Sequence, residues 1–417
     1  MELQGGLQRG HKRVLFISYN GMLDPLGQTQ VIPYLRGLAK RGVQFTLLSF
    51  ERAAAFTGEG ARKRDELRRE LSEQGIEWHW LRYHQRPSVP ATIYDVIAGI
   101  RKARSLVRRN GIKMVHARSH VPATIALALK RSLGTKMIFD LRGLMAEEYV
   151  DAQHWRKDSV PYRITKAAER RIFEETDAVV TLTERIWPII KEWEGLRGHD
   201  VHHAVVPCCV DLSRFKFSEE DRAQRRKELG LGDNFTIVYS GSIGSWYLTE
   251  EMADFFAVLR RRRPDAHLIW LINGSHEAVR QLMKSRNVPA DHFSVLSTPA
   301  SMVPSYLSAA DAGLSFNKPC FSKLASSPTK NAEYLACGLP LIINSGIGDS
   351  DALIDDWNAG VLLEDLTDAE YAEAQTFIET MAAQPGARQN ARAIAERLFD
   401  LQTIGVERYA ALYERVY

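Results

Sequence analysis

Short apolar runs of strand length alternate with longer amphipathic segments along almost the whole chain. The first run, residues 14–18, is continuously apolar, which is typical of a strand buried on both faces. The segment 31–41 has apolar residues at helical spacing and ends at Gly42. Further strands are predicted at residues 45–50, 113–116, 136–140 and 178–182. This alternation predicts a doubly wound parallel α/β sheet.

The pattern breaks near Pro207, where another strand ends, and then starts again after a charge-rich segment, residues 218–230. The second series predicts strands at residues 235–240, 267–272, 293–296, 312–316 and 341–344. A chain of 417 residues is too long for one ordinary core. The sequence therefore predicts two Rossmann-like domains, 1–208 and 209–400, followed by an amphipathic helix, 401–417, that packs back on the first domain. Because such sheets bind ligands at the carboxyl ends of their strands, we expect a site in a cleft between the domains.

The composition narrows the class of protein only moderately. Apolar residues make up 45% and charged residues 25% of the chain, and the formal net charge is +4. This mild charge argues against a nucleic-acid partner but permits contact with an anionic surface. The four cysteines form no C-x-x-C pair, and no histidine cluster completes a metal site. With no apolar run of membrane-spanning length and a polar start, residues 1–13, predicted to be a loose tail, we expect a cytoplasmic protein.

The segment from Ser327 to Pro340 predicts a short helix with marked ends. Ser327 is a favourable N-cap, Pro328 suits the first helical position, and Gly338 suits the left-handed residue after the end. Lys330 then lies in the first turn, where a cation opposes the helix dipole. A lysine in this place, beside free N–H groups, indicates a bound anion such as phosphate. The alternative is a solvated lysine on an ordinary capped helix.

Polar residues follow three strands of the predicted first domain. The loop after the first strand contains Gly27, where the backbone can approach a ligand. Arg118 and His120 lie at the end of a later strand and can contact a sugar hydroxyl or a phosphate, although a structural role is the alternative for the histidine. Arg142 follows the next strand and suits an anion, with a salt bridge to Asp140 as its alternative.

Glycines and serines follow the first strand of the predicted second domain. Gly244 allows a tight turn, and the hydroxyl groups of Ser242 and Ser245 can cradle phosphate oxygens. Trp246 is either a core residue or a platform for a stacked base. No G-x-G-x-x-G or P-loop motif follows any predicted strand, which argues against a dinucleotide-dependent dehydrogenase and an NTPase.

Taken in this order, the motifs resemble those of family 4 retaining glycosyltransferases of the GT-B fold. The similarity extends from about residue 14 to the final helix and rests on segments 26–38, 115–118, 205–211 and 327–340. It implies transfer of a sugar from a nucleotide-sugar donor to a hydroxyl acceptor with retention of the anomeric configuration. The donor is a substrate, so the resemblance implies neither a cofactor nor a metal ion.

The resemblance also assigns roles to residues. Glu333 matches the second glutamate of the family's E-x7-E element, which holds the nucleotide ribose. The first glutamate would stand at Ala325, so this chain carries a Ser-Pro-Thr-Lys variant of the element. The resemblance implies three catalytic residues, Arg118, His120 and Arg142. Of these, Arg142 would stabilise the leaving diphosphate together with Lys330. The implied donor-binding residues are Gly27, Gln28, Ser242, Gly244, Trp246, Thr329, Lys330 and Glu333.

The acceptor is predicted less directly. Residues 96–109 form an amphipathic helix whose basic side can contact an anionic membrane, although a solvated face on a core helix is the alternative. We therefore expect a glycan, lipid-linked or small-molecule acceptor and peripheral contact with the inner face of the cell membrane. Two other functions stay open, namely a nucleotide-sugar epimerase of similar architecture and a non-catalytic nucleotide-sugar-binding subunit.

Overall fold

The computed structural model describes residues 12–86 and 88–417, and its first sheet has seven parallel strands in the order β3-β2-β1-β4-β5-β6-β7. The strands are β1 Lys12–Ser18, β2 Val43–Glu51, β3 Ile76–Arg82, β4 Met114–Arg118, β5 Lys136–Asp140, β6 Ala178–Thr181 and β7 His202–Val205. Side chains of β1 alternate between two apolar clusters, with Val14 and Phe16 in one and Leu15 and Ile17 in the other. Helices cover both faces of this sheet, which explains the continuously apolar run.

Eight helices and a short 3₁₀ turn, Ala53–Phe56, connect these strands. The helices are α1 Pro25–Gln30, α2 Ile32–Ala39, α3 Gly58–Glu73, α4 Ser88–Asn110, α5 His120–Leu133, α6 Met145–Asp151, α7 Val160–Glu175 and α8 Trp187–Ile190. The helix predicted at 31–41 corresponds to α2, whereas the loop predicted before it contains α1, which is separated from α2 where the backbone departs from helical geometry at Val31. Residues 1–11 of the predicted tail lie outside the described residues, whereas Lys12 and Arg13 belong to β1.

The second sheet has six parallel strands in the order β10-β9-β8-β11-β12-β13. The strands are β8 Thr236–Gly241, β9 His267–Ile272, β10 Phe293–Leu296, β11 Ala312–Ser315, β12 Leu341–Asn344 and β13 Gly360–Leu363. Every strand that the apolar runs predicted is present in the two sheets, and β3 and β13 are strands that they did not predict.

The helices of the second domain are α9 Glu219–Glu228, α10 Thr249–Arg262, α11 His276–Ser285, α12 Val303–Ala309, α13 Thr329–Ala336, α14 Ser350–Asp355, α15 Asp368–Ala383 and α16 Ala387–Leu398. Short 3₁₀ turns occur at Ala290–His292, Ala300–Met302 and Phe321–Ala325. The charge-rich segment 218–230 forms α9. Its N-cap is Ser218, whose hydroxyl accepts from the N–H of Asp221, and its acidic start and basic end suit the helix dipole.

The chain then returns to the first domain. Residues predicted as one final helix form a wide helical turn, Leu401–Val406, followed by α17 Glu407–Val416. Tyr409 and Tyr413 of α17 belong to the same apolar cluster as Val14 of β1. In the described part of the chain, no helix has both the length and the apolar character needed to cross a bilayer.

Loops that follow strands of the two sheets meet at the domain boundary. The hydroxyl of Thr183, after β6, donates to the carbonyl of Leu324, after β11, at 2.7 Å. The carboxylate of Asp349, after β12, accepts from the N–H groups of Glu184 at 2.7 Å and Arg185 at 3.0 Å. The carboxyl ends of both parallel sheets therefore face this boundary, where ligands of such sheets bind.

Candidate active site

Helix α13 begins at the domain boundary without a capping side chain. Pro328 occupies the N-cap position, and no side chain of the described residues accepts a hydrogen bond from the first turn there. The prediction that Ser327 caps this helix is wrong, because its hydroxyl accepts instead from the N–H of Cys208 in the first domain, at 3.1 Å. Gly338 follows the helix with φ of 75°, as predicted. The uncapped first turn leaves N–H groups available to a ligand.

Lys330 is a buried cation in this first turn. Its Nζ atom has no hydrogen-bond partner among the described residues. It lies 4.0 Å from the ring centroid of Tyr239 and 4.2 Å from that of Tyr247, within range of cation–π attraction. Burial lowers the pKa of Lys330 to about 7, against the opposing effect of Glu333. The ammonium group therefore lacks the counterion that a buried cation ordinarily has.

Gly241 lets this ammonium group approach the loop after β8. A Cβ atom added at Gly241 would lie 2.9 Å from Lys330 Nζ, and the φ of 149° further disfavours a side chain. Tyr239 joins the two features, since its ring contacts Lys330 and its hydroxyl donates to the carbonyl of Ser242. The structure thus brings the predicted lysine and the predicted serine loop together.

The rest of that loop is largely open to solvent. Ser242 and Gly244 are exposed, and the N–H of Gly244 donates to the hydroxyl of Thr249 at 2.9 Å. Trp246 is half-buried, and the ammonium group of Lys323 lies 3.9 Å from its ring centroid. Lys323 is thus a second lysine near the loop, which the sequence motifs did not single out.

Glu333 lies one turn after Thr329 on α13, and both side chains are partly buried. Burial raises the pKa of Glu333 to about 7, although Lys330 and Arg214 favour its charged form. Within the described ranges, no donor forms a hydrogen bond with its carboxylate. Helix α13 therefore presents a cation and a carboxylate whose hydrogen-bonding capacity the protein leaves unused.

The first domain contributes a cluster of buried charges at the ends of β4 and β5. Arg118 pairs with Asp140 in the sheet register, and an oxygen of Asp140 lies 3.6 Å from Arg142 NH1. Burial would raise the pKa of Asp140, but its basic neighbours, led by Arg142, hold it at about 2. Burial lowers the pKa of Arg118, and the second guanidinium lowers it further. The charges of Arg142 and Arg118 both act on this one carboxylate, so positive charge is in excess here.

Arg142 also lies beside the start of α13. Its NH2 atom is 3.4 Å from the sulfur of Cys208, and the N–H of that cysteine donates to Ser327. The salt bridge that the sequence suggested as an alternative for Arg142 is present. The same side chain nevertheless lies next to the helix that carries Lys330. Positive charges from both domains therefore meet at one helix N-terminus, which suits a phosphate group.

Three aromatic and imidazole groups that the motifs did not single out complete the first-domain cluster. The Tyr409 hydroxyl donates to Asp140 at 2.9 Å. Nδ1 of His116 lies 2.7 Å from the hydroxyl of Tyr413, and its Nε2 lies 3.3 Å from Asp140. Helix α17 thus holds the ends of β4 and β5. No local pattern reveals this, because Tyr409 and Asp140 are 269 residues apart in the sequence.

His120 occupies a different environment from the two arginines. Its Nε2 atom lies 3.0 Å from an oxygen of Glu169, and its ring packs edge-on against Phe139. Phe139 belongs to the apolar cluster on the opposite face of the sheet from Tyr409. Among the described residues, His120 forms no hydrogen bond with Arg118 or Arg142, so the three predicted catalytic residues are not one constellation.

Gly27 and Gln28 hold the first loop together. A Cβ atom at Gly27 would lie 2.3 Å from the carbonyl oxygen of Gly21, so this close backbone approach requires glycine. The amide of Gln28 donates to the carbonyl of Met22 at 2.6 Å. These two residues of α1 thus contact the loop that precedes the helix.

The surroundings of Ala325 suit an apolar side chain and not the glutamate of the family's element. It is 2% exposed and belongs to an apolar cluster of the first domain, together with Phe173 and Ile186. A carboxylate here would be buried among apolar side chains at the domain boundary. Across residues 12–86 and 88–417, no three His, Cys, Asp or Glu side chains are grouped so that they could hold a metal ion.

Comparison with solved structures identifies the fold. HepE from Anabaena, in complex with UDP and glucose, is 16% identical, with 97% of this chain and 100% of that chain covered and a TM-score of 0.71. Sucrose-phosphate synthase from Thermosynechococcus elongatus is 15% identical, with 97% and 98% covered and a TM-score of 0.74. WaaG, a glycosyltransferase involved in lipopolysaccharide biosynthesis, is 16% identical, with 96% and 99% covered and a TM-score of 0.67. The fold is GT-B, as predicted.

The sequence itself matches a family model. Residues 27–214 match the model of the family described as Glycosyltransferase Family 4. No curated protein matches the chain. Together with the fold, this match over the first domain supports the resemblance to glycosyltransferase family 4 found in the sequence.

Proposed function

We propose that this glycosyltransferase uses a nucleotide-sugar donor and places the donor diphosphate at the start of α13. The observation that carries the proposal is the buried ammonium group of Lys330, which has no hydrogen-bond partner among the described residues. A phosphate oxygen would supply the missing counterion. HepE, which shares the fold, has been solved with UDP and with UDP-glucose, so uridine nucleotides are the first ligands to test.

The ribose and the phosphates would use different groups. The carboxylate of Glu333 would accept hydrogen bonds from ribose hydroxyls, which are charge-assisted and therefore strong. The free N–H groups at the start of α13 and the exposed loop at Ser242 and Gly244 would face the phosphates. Arg142, beside Cys208, would add charge from the first domain.

We further propose transfer with retention and without a metal ion. The acceptor oxygen would bond to the anomeric carbon on the face from which the diphosphate departs, while the carbon–oxygen bond to the phosphate breaks. The acceptor proton would pass to an oxygen of the leaving diphosphate. Lys330 and the excess charge of the Arg118–Arg142 cluster support this proposal, because fixed cations stabilise a developing diphosphate as a metal ion does.

The acceptor would be hydroxyl-bearing and can lie near a membrane. The predicted apolar face of α4 packs inward at Ala103 and Val107, which are 0% and 5% exposed. Another apolar stripe is exposed in the first half of α4, including Ile93, Tyr94 and Ile97 at 55%, 60% and 44%. We propose that this stripe, with the exposed Arg101 beyond it, contacts an anionic leaflet. Co-sedimentation with anionic vesicles tests this contact, and Ile93→Asp should abolish it.

The donor assignment is tested with a panel of nucleotide sugars. We expect UDP or a UDP-sugar to raise the melting temperature, and donor turnover to release the free nucleoside diphosphate. Glu333→Gln should weaken nucleotide binding, whereas the matched change Glu373→Gln, at an exposed position of α15, should not.

The same panel distinguishes the other functions. An epimerase would convert the donor sugar without releasing nucleotide, and a non-catalytic subunit would bind the donor without turnover. NMR of the product would show the anomeric configuration, and an inverted product would contradict retention. If no nucleotide of the panel raises the melting temperature, the donor site is wrongly assigned.

A further inference from the structure

A cavity of about 550 Å³ lies at the domain boundary, away from the donor-binding residues of α13. Most of its lining comes from α6, α7 and the segment after α8 in the first domain. Phe321, from the turn after β11 in the second domain, also lines it. The residues that matter for its chemistry are Glu147, Tyr162, Lys166, Glu169, Trp193 and Phe321.

The charged side chains that line this cavity balance in number, with three basic ones, Lys157, Lys166 and Arg170, and three acidic ones, Glu147, Glu169 and Glu194. The ammonium group of Lys166 lies 2.9 Å from Glu147 and also pairs with Glu169. At the rim, Arg170 pairs with Glu194 at 2.7 Å. A charged ligand would have to displace these pairs. The cavity therefore favours an uncharged ligand.

One polar atom in the cavity wall is left without a partner. The Oε2 atom of Glu147 is buried and accepts no hydrogen bond from any described residue, while its Oε1 atom has Lys166 and, at 3.4 Å, the hydroxyl of Tyr162. Leaving a buried carboxylate oxygen unpaired costs free energy, so a donor from a ligand would stabilise it. A hydroxyl group is an uncharged donor of this kind.

Two aromatic rings supply the apolar part of the cavity. The rings of Trp193 and Phe321 are 6.5 Å apart between centroids, with planes inclined by 31°. Phe321 is 42% exposed, so part of its ring is available to a ligand. The ammonium group of Lys166 lies 3.6 Å from the Trp193 ring and holds it in place. Apolar rings beside a carboxylate match the C–H faces and hydroxyl groups of a pyranose.

We propose that this cavity binds a neutral sugar residue of the acceptor glycan. That the sugar belongs to an acceptor rests on the proposed function. That the ligand is a neutral sugar rests on the cavity alone. The position supports it, because Asp151 of α6 fixes the turn that carries Phe321 by accepting from the N–H of Ser322 at 2.9 Å. That turn also contains Ala325, where the family's sugar-contacting glutamate would stand. The cavity therefore lies where the first domain meets the second-domain turn Phe321–Ala325.

The test uses an array of immobilised neutral and anionic oligosaccharides, with UDP binding measured separately by calorimetry. We expect the wild-type protein to bind one or more neutral glycans. Phe321→Ala and Glu147→Gln should each weaken that binding by about tenfold, as expected for one lost contact of roughly 1.4 kcal/mol, and leave UDP binding unchanged. The matched control is Phe377→Ala, which removes a phenylalanine exposed to 46% on α15 and should leave both binding reactions unchanged.

The outcomes separate this inference from the donor proposal. If UDP binds but no neutral glycan does, or if only anionic glycans bind, the cavity is wrongly assigned while the donor site stands. If neutral glycans bind and both variants weaken that binding, the cavity is a glycan site. If UDP does not bind in the same experiment, the donor proposal fails. Glycan binding that survives both variants overturns the inference.

Discussion

Two sets of buried charges meet at the domain boundary, and they differ in whether the protein itself supplies their partners. In the first domain, Asp140 has Arg142 at 3.6 Å and the Tyr409 hydroxyl at 2.9 Å. In the second domain, Lys330 has two aromatic rings but no hydrogen-bond acceptor among the described residues. The pKa values follow this difference, since pairing holds the pKa of Asp140 at about 2, whereas burial brings the pKa of Lys330 to about 7.

Whether a buried charge is paired within the protein distinguishes a structural charge from one that belongs to a binding site. A paired buried charge stabilises the fold only as long as both partners stay, so its loss is costly. An unpaired buried charge costs stability until a ligand supplies the counterion, so its loss harms ligand binding instead. Removal of the Asp140 carboxylate should therefore affect folding, and substitutions on α13 should affect binding and turnover.

The largest effect is expected for Asp140→Asn. It leaves two guanidinium groups without their shared carboxylate, and the free energy of unfolding should fall by about 3–5 kcal/mol. Because the folded pKa of about 2 lies below the value of about 3.9 in an unfolded chain, about 2.6 kcal/mol of this stability depends on ionisation of Asp140; that part is complete above about pH 4 and is lost as the pH falls through 2. Urea unfolding at pH 7 measures the loss.

The matched control for that prediction is Asp368→Asn, whose carboxylate belongs to an exposed pair with Arg261. Exposed pairs contribute little, so the change should be below about 0.5 kcal/mol. If Asp140→Asn lowers the free energy of unfolding no more than its control does, the Asp140 cluster does not stabilise the fold as expected.

The next effect concerns turnover. Lys330→Met removes the cation that would face the diphosphate, and turnover of the nucleotide sugar should fall by roughly 10²–10³-fold, as for the loss of one preorganised charge-stabilising group. The melting temperature without ligand should stay the same or rise, because a desolvated charge is replaced by an apolar side chain. Release of nucleoside diphosphate and thermal unfolding give the two readouts.

The exposed Lys284 of α11 provides the control for Lys330, since Lys284→Met removes a solvated ammonium group. It should change neither readout. A variant of Lys330 that lost stability but kept its turnover would reverse the comparison between the two clusters.

The smallest effect is a pH dependence of UDP binding. A phosphate favours protonated Lys330, so above pH 7 binding must take up a proton, and affinity should fall by up to about tenfold per pH unit. Ribose hydroxyls favour ionised Glu333, so below pH 7 binding must release a proton and should weaken again. Calorimetry at pH 6, 7 and 8, in buffers of different ionisation enthalpy, measures both the affinity and the proton transfer.

Two variants show which residue causes the loss of UDP affinity above pH 7, the alkaline arm, and which causes the loss below pH 7, the acidic arm. Lys330→Met should remove the alkaline arm and Glu333→Gln the acidic arm, and comparison with wild type cancels the titration of UDP itself. An affinity that is constant from pH 6 to 8 would contradict the idea that these two groups await a ligand.

Much of the fold was predictable because central strands are continuous apolar runs. The predicted strand at residues 267–272 coincides with β9. The edge strand β3 was missed because it has one neighbour and alternates buried Trp78 with exposed Glu77. The edge strand β13 is four residues long and partly exposed, so it leaves little apolar signal.

The candidate site was predictable only where one segment carries the signal. The place of Lys330 in a first helical turn is visible in the sequence, because a lysine there opposes the dipole. The rings around it come from another strand, and Tyr409 reaches Asp140 from the end of the chain. Ser327 was wrongly predicted as a cap, because Cys208 in the other domain uses its hydroxyl. Such tertiary partners leave no trace in local patterns.

The two places where the chain crosses between the domains are joined to each other. The N–H of Val210 donates to the carbonyl of Phe399 at 2.8 Å, and the N–H of Leu401 donates to the carbonyl of Val210 at 3.1 Å. The two connections therefore meet at one point, and an axis of rotation between the domains would pass through it. Ser327 bonds to Cys208, which is next but one to Val210, so the start of α13 lies close to that axis. Rotation would therefore open the boundary while keeping the diphosphate end of the site in register with Arg142.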